Sequence, residues 1–177
     1  MDSHASRIRP GVRMGVDVGE VRVGLAASDP AGMLAFPVQT LDRDLATGSD
    51  LDLVAEMAAG RAVVEVIVGL PRSLSGVEGV AAQHARRYAA ELHRRLASVP
   101  VRLWDERLST VDGHRVLRES GVPGRQQRAK IDQAAAVLIL QSALDAERHT
   151  GRPPGTALRE RKPRTPGSGR TDEGRQA

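Results

Sequence analysis

VRMGVDVGEVRVGLAAS, residues Val12 to Ser28, decides the fold. Val12–Val18 reads as an apolar strand, Gly19-Glu20 as a tight turn and Val21–Ser28 as a second strand. Two such runs parted by two residues, one of them glycine, signal a β-hairpin. A third extended run, Leu34–Leu41, contains Pro37, which has no backbone N–H to give a ladder and so suits a sheet edge. Beyond it the period changes. Asp50–Ala59 places Leu51, Val54 and Ala58 on one helical face and stops at Gly60. Val63–Leu70 is β-branched and almost wholly apolar, as a strand covered on both faces should be. Val80–Ala97 is a helix, Val101–Asp105 a short strand, and Lys130–Arg148 the clearest helix of the chain. Ser109–Glu119 reads as a further helix, opened by Ser109 with Asp112 three residues on and weakened by Gly113. A meander followed by β–α units makes an α/β fold, a mixed sheet with helices on its faces.

The 177 residues suit one domain. Met1–Pro10 is polar and without period, so residues 1–11 are expected to be flexible, 12–149 to form the domain, and 150–177, rich in Pro, Gly and Arg, to be a disordered basic tail. Aromatic residues are 2% of the chain, so the core must be built from Val, Leu, Ile and Ala. The absence of cysteine excludes disulfides, thiolate zinc sites and cysteine nucleophiles. No signal-peptide pattern and no apolar run of about 18 residues is present, so a cytoplasmic protein without a membrane partner is expected. The pI near 10.5 suggests a nucleic-acid partner. Yet seven of the 26 basic and three of the 22 acidic residues lie in Gly151–Ala177, which leaves nineteen of each in residues 1–150. The globular part is neutral on average, and the tail is either a source of phosphate affinity or a solubilising segment.

Three acids sit where such a sheet would gather them. Asp17 is near the end of the first strand, Glu106 follows the last strand beside Asp105, and Asp132 begins the long helix before Ala134, Ala135 and Ala136, small residues that allow a close approach to the sheet. Carboxylates brought together repel one another, and a hard divalent cation relieves the repulsion. Two such ions about 3.5–4 Å apart serve phosphodiester hydrolysis by activating water and stabilising the leaving oxygen. Each acid alone has a structural alternative: a turn residue for Asp17, a loop acid or salt-bridge partner of Arg107 for Glu106, a macrodipole partner for Asp132. Asp105 should point away from Glu106 by strand alternation. His84, His93 and His114 read as surface or packing residues, Ser109 and Thr110 as lacking a supporting base, and Arg86, Arg87, Arg94 and Arg95 as a solvated helix face.

VDVGEVRVGLAASD (16–29), VIVGLPRSLSGVEG (66–79), DERLST (105–110) and IDQAAAVLILQ (131–141), in this order, resemble the YqgF/RuvX family of RNase H-like proteins, described as pre-16S rRNA nucleases or Holliday-junction resolvases. The resemblance covers Val12 to Arg148 and implies a five-stranded mixed sheet flanked by helices. It implies a catalytic metal site of Asp17, Glu106 and Asp132 holding Mg²⁺ or Mn²⁺, as two ions. Arg22, with Gly19 allowing close backbone approach, is then expected near substrate phosphate, and Arg107 joins them as a substrate-binding residue. Ser73 stands where the family often has Asn, Gly113 where it often has Ala, and Glu20 adds a carboxylate to a turn that is often uncharged or basic. Glu20 is either an outer ligand, a weakener of phosphate binding or a solvent-exposed turn residue.

The function so implied is a metal-dependent nuclease processing the 5′ end of pre-16S rRNA. The alternative substrate is a branched DNA junction, whose paired cuts require a homodimer where RNA trimming needs only a monomer. A non-catalytic RNA-binding assembly factor is a third reading. The first phosphate loop of actin-like ATP-binding folds also has Asp-x-Gly, but such folds need two lobes and this chain has room for one.

Overall fold

The computed structural model describes residues 8–73, 75–108 and 125–158. Chain order is β1 (Arg13–Val18), β2 (Arg22–Ser28), β3 (Ala35–Asp42), α1 (Ser49–Gly60), β4 (Glu65–Leu70), α2 (Val80–Arg95), β5 (Val101–Asp105), a single 3-10 turn (Glu106–Leu108), α3 (Arg125–Thr150) and β6 (Thr156–Ala157). The strands form one sheet in the order β3-β2-β1-β4-β5-β6. β1 runs antiparallel to β2 and parallel to β4, β4 and β5 are parallel, and β3 and β6 are antiparallel edges. The helix expected at Ser109–Glu119 lies outside the described residues.

Alternation along the strands divides the interior into two cores. On one face Met14, Val16 and Val18 of β1 join Val66, Val68 and Leu70 of β4 beneath Leu51, Val54 and Ala58 of α1 and Ala82, Ala85, Tyr88, Ala89 and Leu92 of α2. On the other face Ala26, Ile67 and Trp104 pack against Ala136, Ile139, Leu140, Ala143 and Leu144 of α3. β1 and β4 are buried along their whole length because both faces are covered. Pro37 sits on the edge strand as its chemistry requires, and the β2–β3 register shifts between Leu25 and Ala26.

Two features depart from the sequence reading. The sheet has six strands rather than five, and the sixth, Thr156–Ala157, falls in the stretch expected to be tail. Two residues carry no detectable period; what holds them is backbone pairing. β6 pairs antiparallel with β5, Leu158 donates its backbone N–H to Val101 O at 2.9 Å, and the Arg102 side chain adds a bond from Nη2 to Gly155 O at 3.1 Å. Gly155 has φ +63°, and a Cβ there would lie 2.2 Å from Leu103 O.

The second is a charge network at the end of the sheet where β1 and β4 begin. Arg13, Glu65 and Glu147 are at most 1% exposed. Glu147, near the end of α3, receives Arg9 Nε at 2.7 Å and Arg13 Nη2 at 3.3 Å, while Arg9 Nη2 reaches Glu65 at 2.8 Å. Residues 8–11, expected to be flexible, are thereby tied to β4 and α3, with Gly11 N donating to Pro30 O at 2.8 Å. Burial pushes the Glu147 carboxyl up, but hydrogen bonds from Arg9 prevail and hold it below the usual carboxylate range.

Candidate active site

The end of the sheet where β1 and β4 finish gathers the acids by means of missing side chains. Asp17, the penultimate residue of β1, is 6% exposed and paired across the antiparallel ladder with Gly24. A Cβ on Gly24 would stand 2.1 Å from the Asp132 carbonyl oxygen and 3.2 Å from Asp132 Cβ. The backbone of α3 therefore rests on that of β2 beside Asp17, a separation that only glycine permits. On Asp17's other side, the β1–β4 register runs through Val16 and Val68, so Gly69 is the next step along. A Cβ on Gly69 would meet Glu106 Oε1 at 2.7 Å and Ile139 Cδ1 at 2.5 Å. Asp17 is thus flanked by two glycines, with Asp132 seated on one and the Glu106 carboxylate on the other. Gly15, two residues back on the same face, lets Leu140 and Ala136 of α3 approach equally closely.

Asp17 and Asp132 line one cleft of about 280 Å³ together with Gly19, Glu20, Pro71 and His84. Asp132 Oδ2 accepts a 2.9 Å bond from Arg22 Nε. Both partners are mostly screened from solvent, so this pair is firmer than an exposed one. Among the described residues no three His, Asp or Glu side chains stand close enough to hold an ion as they are. The arrangement brings the three acids to one face and one end of the sheet, with the Arg22 guanidinium bound to Asp132.

Asp105 lies on the opposite face from Glu106, as alternation requires. It accepts Arg107 Nη2 at 2.7 Å and Arg107 Nε at 3.0 Å, and Arg72 reaches it at 3.4 Å. Hydrogen bonding from Arg107, working against burial, holds the Asp105 carboxyl below the usual range. Arg107 is therefore bound to its neighbour two residues back rather than extended into the cleft of Asp17. Gly19 closes the hairpin by donating its N–H to Arg22 O at 2.8 Å. Arg43 Nη1 donates to the Gly19 carbonyl at 3.1 Å.

The sequence reading takes His84 as a surface or packing residue, and the structure places it on the wall of this cleft; that reading does not single out Gly24 and Gly69, the glycines opposite α3. His84 looked like a surface residue because a helix face alone does not show what lies across from it. Gly24 and Gly69 sit inside apolar strands, where an isolated glycine marks a close backbone approach, and that signal was available.

A family model described as "RuvX: Holliday junction resolvase" matches residues 11–146. A relative from Kineococcus radiotolerans, named "Putative pre-16S rRNA nuclease", is 52% identical over 174 residues, 96% of this chain and 92% of its own length. One of the same name from a Nocardioides species is 54% identical over 156 residues, 86% of this chain and 99% of its own. Thermus thermophilus RuvC superimposes with a TM-score of 0.52 at 15% identity over 83% of this chain and 99% of that one, a likeness of fold, which is RNase H-like. Matched along most of its length by the family model and by relatives at more than half identity, the chain belongs to the RuvX family.

Proposed function

We propose that the protein is a divalent-metal-dependent nuclease that processes the 5′ end of pre-16S rRNA in the cytoplasm, with Asp17, Glu106 and Asp132 as its metal-binding carboxylates. The observation that carries this reading is Asp17 held between Gly24 and Gly69, with Asp132 and Glu106 against those two glycines. An all-oxygen donor set of three carboxylates suits Mg²⁺ or Mn²⁺ rather than a thiolate-loving ion. Bound there, such ions supply charge neutralisation for the phosphodiester and acidify a water. The chain's own contributions are distinct. Asp17 is buried and fixed by the central strand. Asp132 is carried on α3 and is released to ligate when Arg22 turns from it to a substrate phosphate. Arg22 is then the residue that couples substrate entry to assembly of the site. Arg107, engaged by Asp105, orients that loop beside Glu106 rather than serving as a second phosphate clamp.

A second reading, cleavage of four-way DNA junctions, draws on the description of the family model. It requires a dimer that presents two sites to one junction. One experiment separates the two. Labelled precursor rRNA leader and labelled junction are each incubated with protein in Mg²⁺, Mn²⁺ or EDTA, alongside Asp17→Asn, Glu106→Gln and Asp132→Asn. The expected result is leader cleavage that needs metal and is lost in all three variants. Junction cleavage without leader cleavage would replace the first reading by the second. Metal-dependent cleavage that survives all three substitutions would remove the acids from the mechanism, and cleavage of neither substrate would leave an RNA-binding assembly factor.

A further inference from the structure

The acidic cleft does not end at His84. A second cleft of about 240 Å³ continues from it, lined by Glu20, Arg43, Leu45, His84 and Arg87. Glu20 and His84 belong to both, so the two are one groove. Its far part runs between the β3–α1 loop and α2, where His84 and Arg87 share a helix face at the i, i+3 spacing.

The arginines there differ from most of the other described arginines. Arg22, Arg72, Arg86, Arg95 and Arg107 each engage a carboxylate. Arg87 has no ion-pair partner among the described residues. Arg43 has none either: its Nη1 holds the Gly19 carbonyl, its guanidinium lies 5.3 Å from the centre of the Tyr88 ring, and its Nε is buried without a hydrogen-bond partner. A buried donor without an acceptor is costly unless a ligand completes it. Beside these two cations stands Leu45, 79% exposed, a large apolar side chain with nothing packed over it. Two guanidinium groups without a carboxylate partner among the described residues, an apolar side chain and an imidazole ring in one groove match the chemistry of a nucleic-acid strand, with phosphates for the cations and sugar or base faces for the rest.

We propose that this groove carries the single-stranded substrate away from the acidic site, with Arg43 and Arg87 binding a backbone phosphate along the strand from the scissile one and His84 and Leu45 contacting the nucleotide between. The proposal rests on the nuclease reading for its direction, and its test is one of binding, so the two fail separately. Anisotropy of a labelled single-stranded RNA octamer is measured in EDTA, where cleavage is silent, from 50 to 300 mM KCl. The proteins are the full chain and Arg87→Gln, Arg87→Lys, Arg43→Lys and Arg94→Gln. Arg94, paired with Glu91 elsewhere on α2, is the control for net charge. Arg87→Gln is expected to bind about tenfold more weakly at low salt and to flatten the dependence of log affinity on log salt by about 0.7, the value of one single-strand phosphate contact. Arg87→Lys should restore the slope, and Arg43→Lys should weaken binding while keeping it, because a point charge replaces a planar fork. Circular dichroism of each variant checks folding. Equal slopes for wild type and Arg87→Gln, or an equal loss with Arg94→Gln, would overturn the proposal. A flattened slope in Arg87→Gln from a protein that cleaves neither RNA nor junction would sustain the groove and retire the nuclease reading.

Discussion

Gly24 is the position at which one methyl group should separate folding from catalysis. A Cβ there would be 2.1 Å from the Asp132 carbonyl oxygen, where real Cβ atoms essentially never approach within 3.0 Å. The obstructing atom is helix backbone, so no rotamer change relieves it. The turn of α3 that carries Asp132, about two turns into the helix, must retreat by about 1 Å, a misplacement that costs an active site roughly 100-fold. Overpacking of this kind costs folding about 1–3 kcal/mol. Trp104, the only tryptophan, reports on the helix directly: it is 5% exposed and its indole N–H donates to Ser142 of α3 at 2.8 Å. Urea unfolding of Gly24→Ala followed by Trp104 emission gives the stability loss, and leader cleavage by protein verified as folded gives the catalytic loss. Gly15→Ala is the matched comparison, since its Cβ would press Leu140 at 2.7 Å and Ala136 O at 2.9 Å further from the acids. It should lose stability and keep most of its activity. Gly24→Ala that folds and cleaves like the parent would refute the idea that the glycine sets the distance between Asp132 and Asp17.

Three further outcomes follow from other parts of the molecule. Glu147→Gln leaves Arg13, which is fully buried, without its counter-charge, and should destabilise the fold by about 3–5 kcal/mol in chemical denaturation. Because the Glu147 carboxyl is held low in the folded state, its contribution is complete above the unfolded-state value of about 4.3 and is lost as pH falls through the lower folded-state value; the acid limb of the parent's stability profile should therefore flatten in Glu147→Gln. Removing residues 159–177 should leave the melting temperature unchanged, whereas removing 151–177 strips β6 from β5 and should lower stability by roughly 1–3 kcal/mol, two or three hydrogen bonds' worth. Glu20→Gln takes a negative charge out of both parts of the groove and should tighten octamer binding at low salt, with the gain disappearing at high salt.

What the sequence disclosed and what it concealed divide along one physical line. Hairpin, edge proline and the helical faces of Leu51, Val54 and Ala58 are local matters, set by period and turn chemistry, and each is where pattern reading puts it. The acids could be named from their motifs, but not their mutual arrangement, because that depends on which residues are absent between them. Asp132 comes beside Asp17 because of a glycine on a neighbouring strand, 108 positions earlier in the chain than the helix residue it admits. The ion pair of Arg22 with Asp132 was hidden for the same reason: each residue had a sensible role alone, one toward phosphate and one toward metal, and only the fold shows that each currently satisfies the other. That pairing has a consequence for the chemistry. A carboxylate held by an arginine does not repel its neighbours, so the acids can be gathered without a metal to neutralise them. In the proposed nuclease, substrate phosphate would compete for the arginine and metal for the carboxylate, so each ligand should loosen the pair that obstructs the other. Metal affinity should then rise when a nucleic-acid strand is bound, by the same factor as strand affinity rises with metal, and Arg22→Gln should remove that coupling while leaving Asp132 free to ligate.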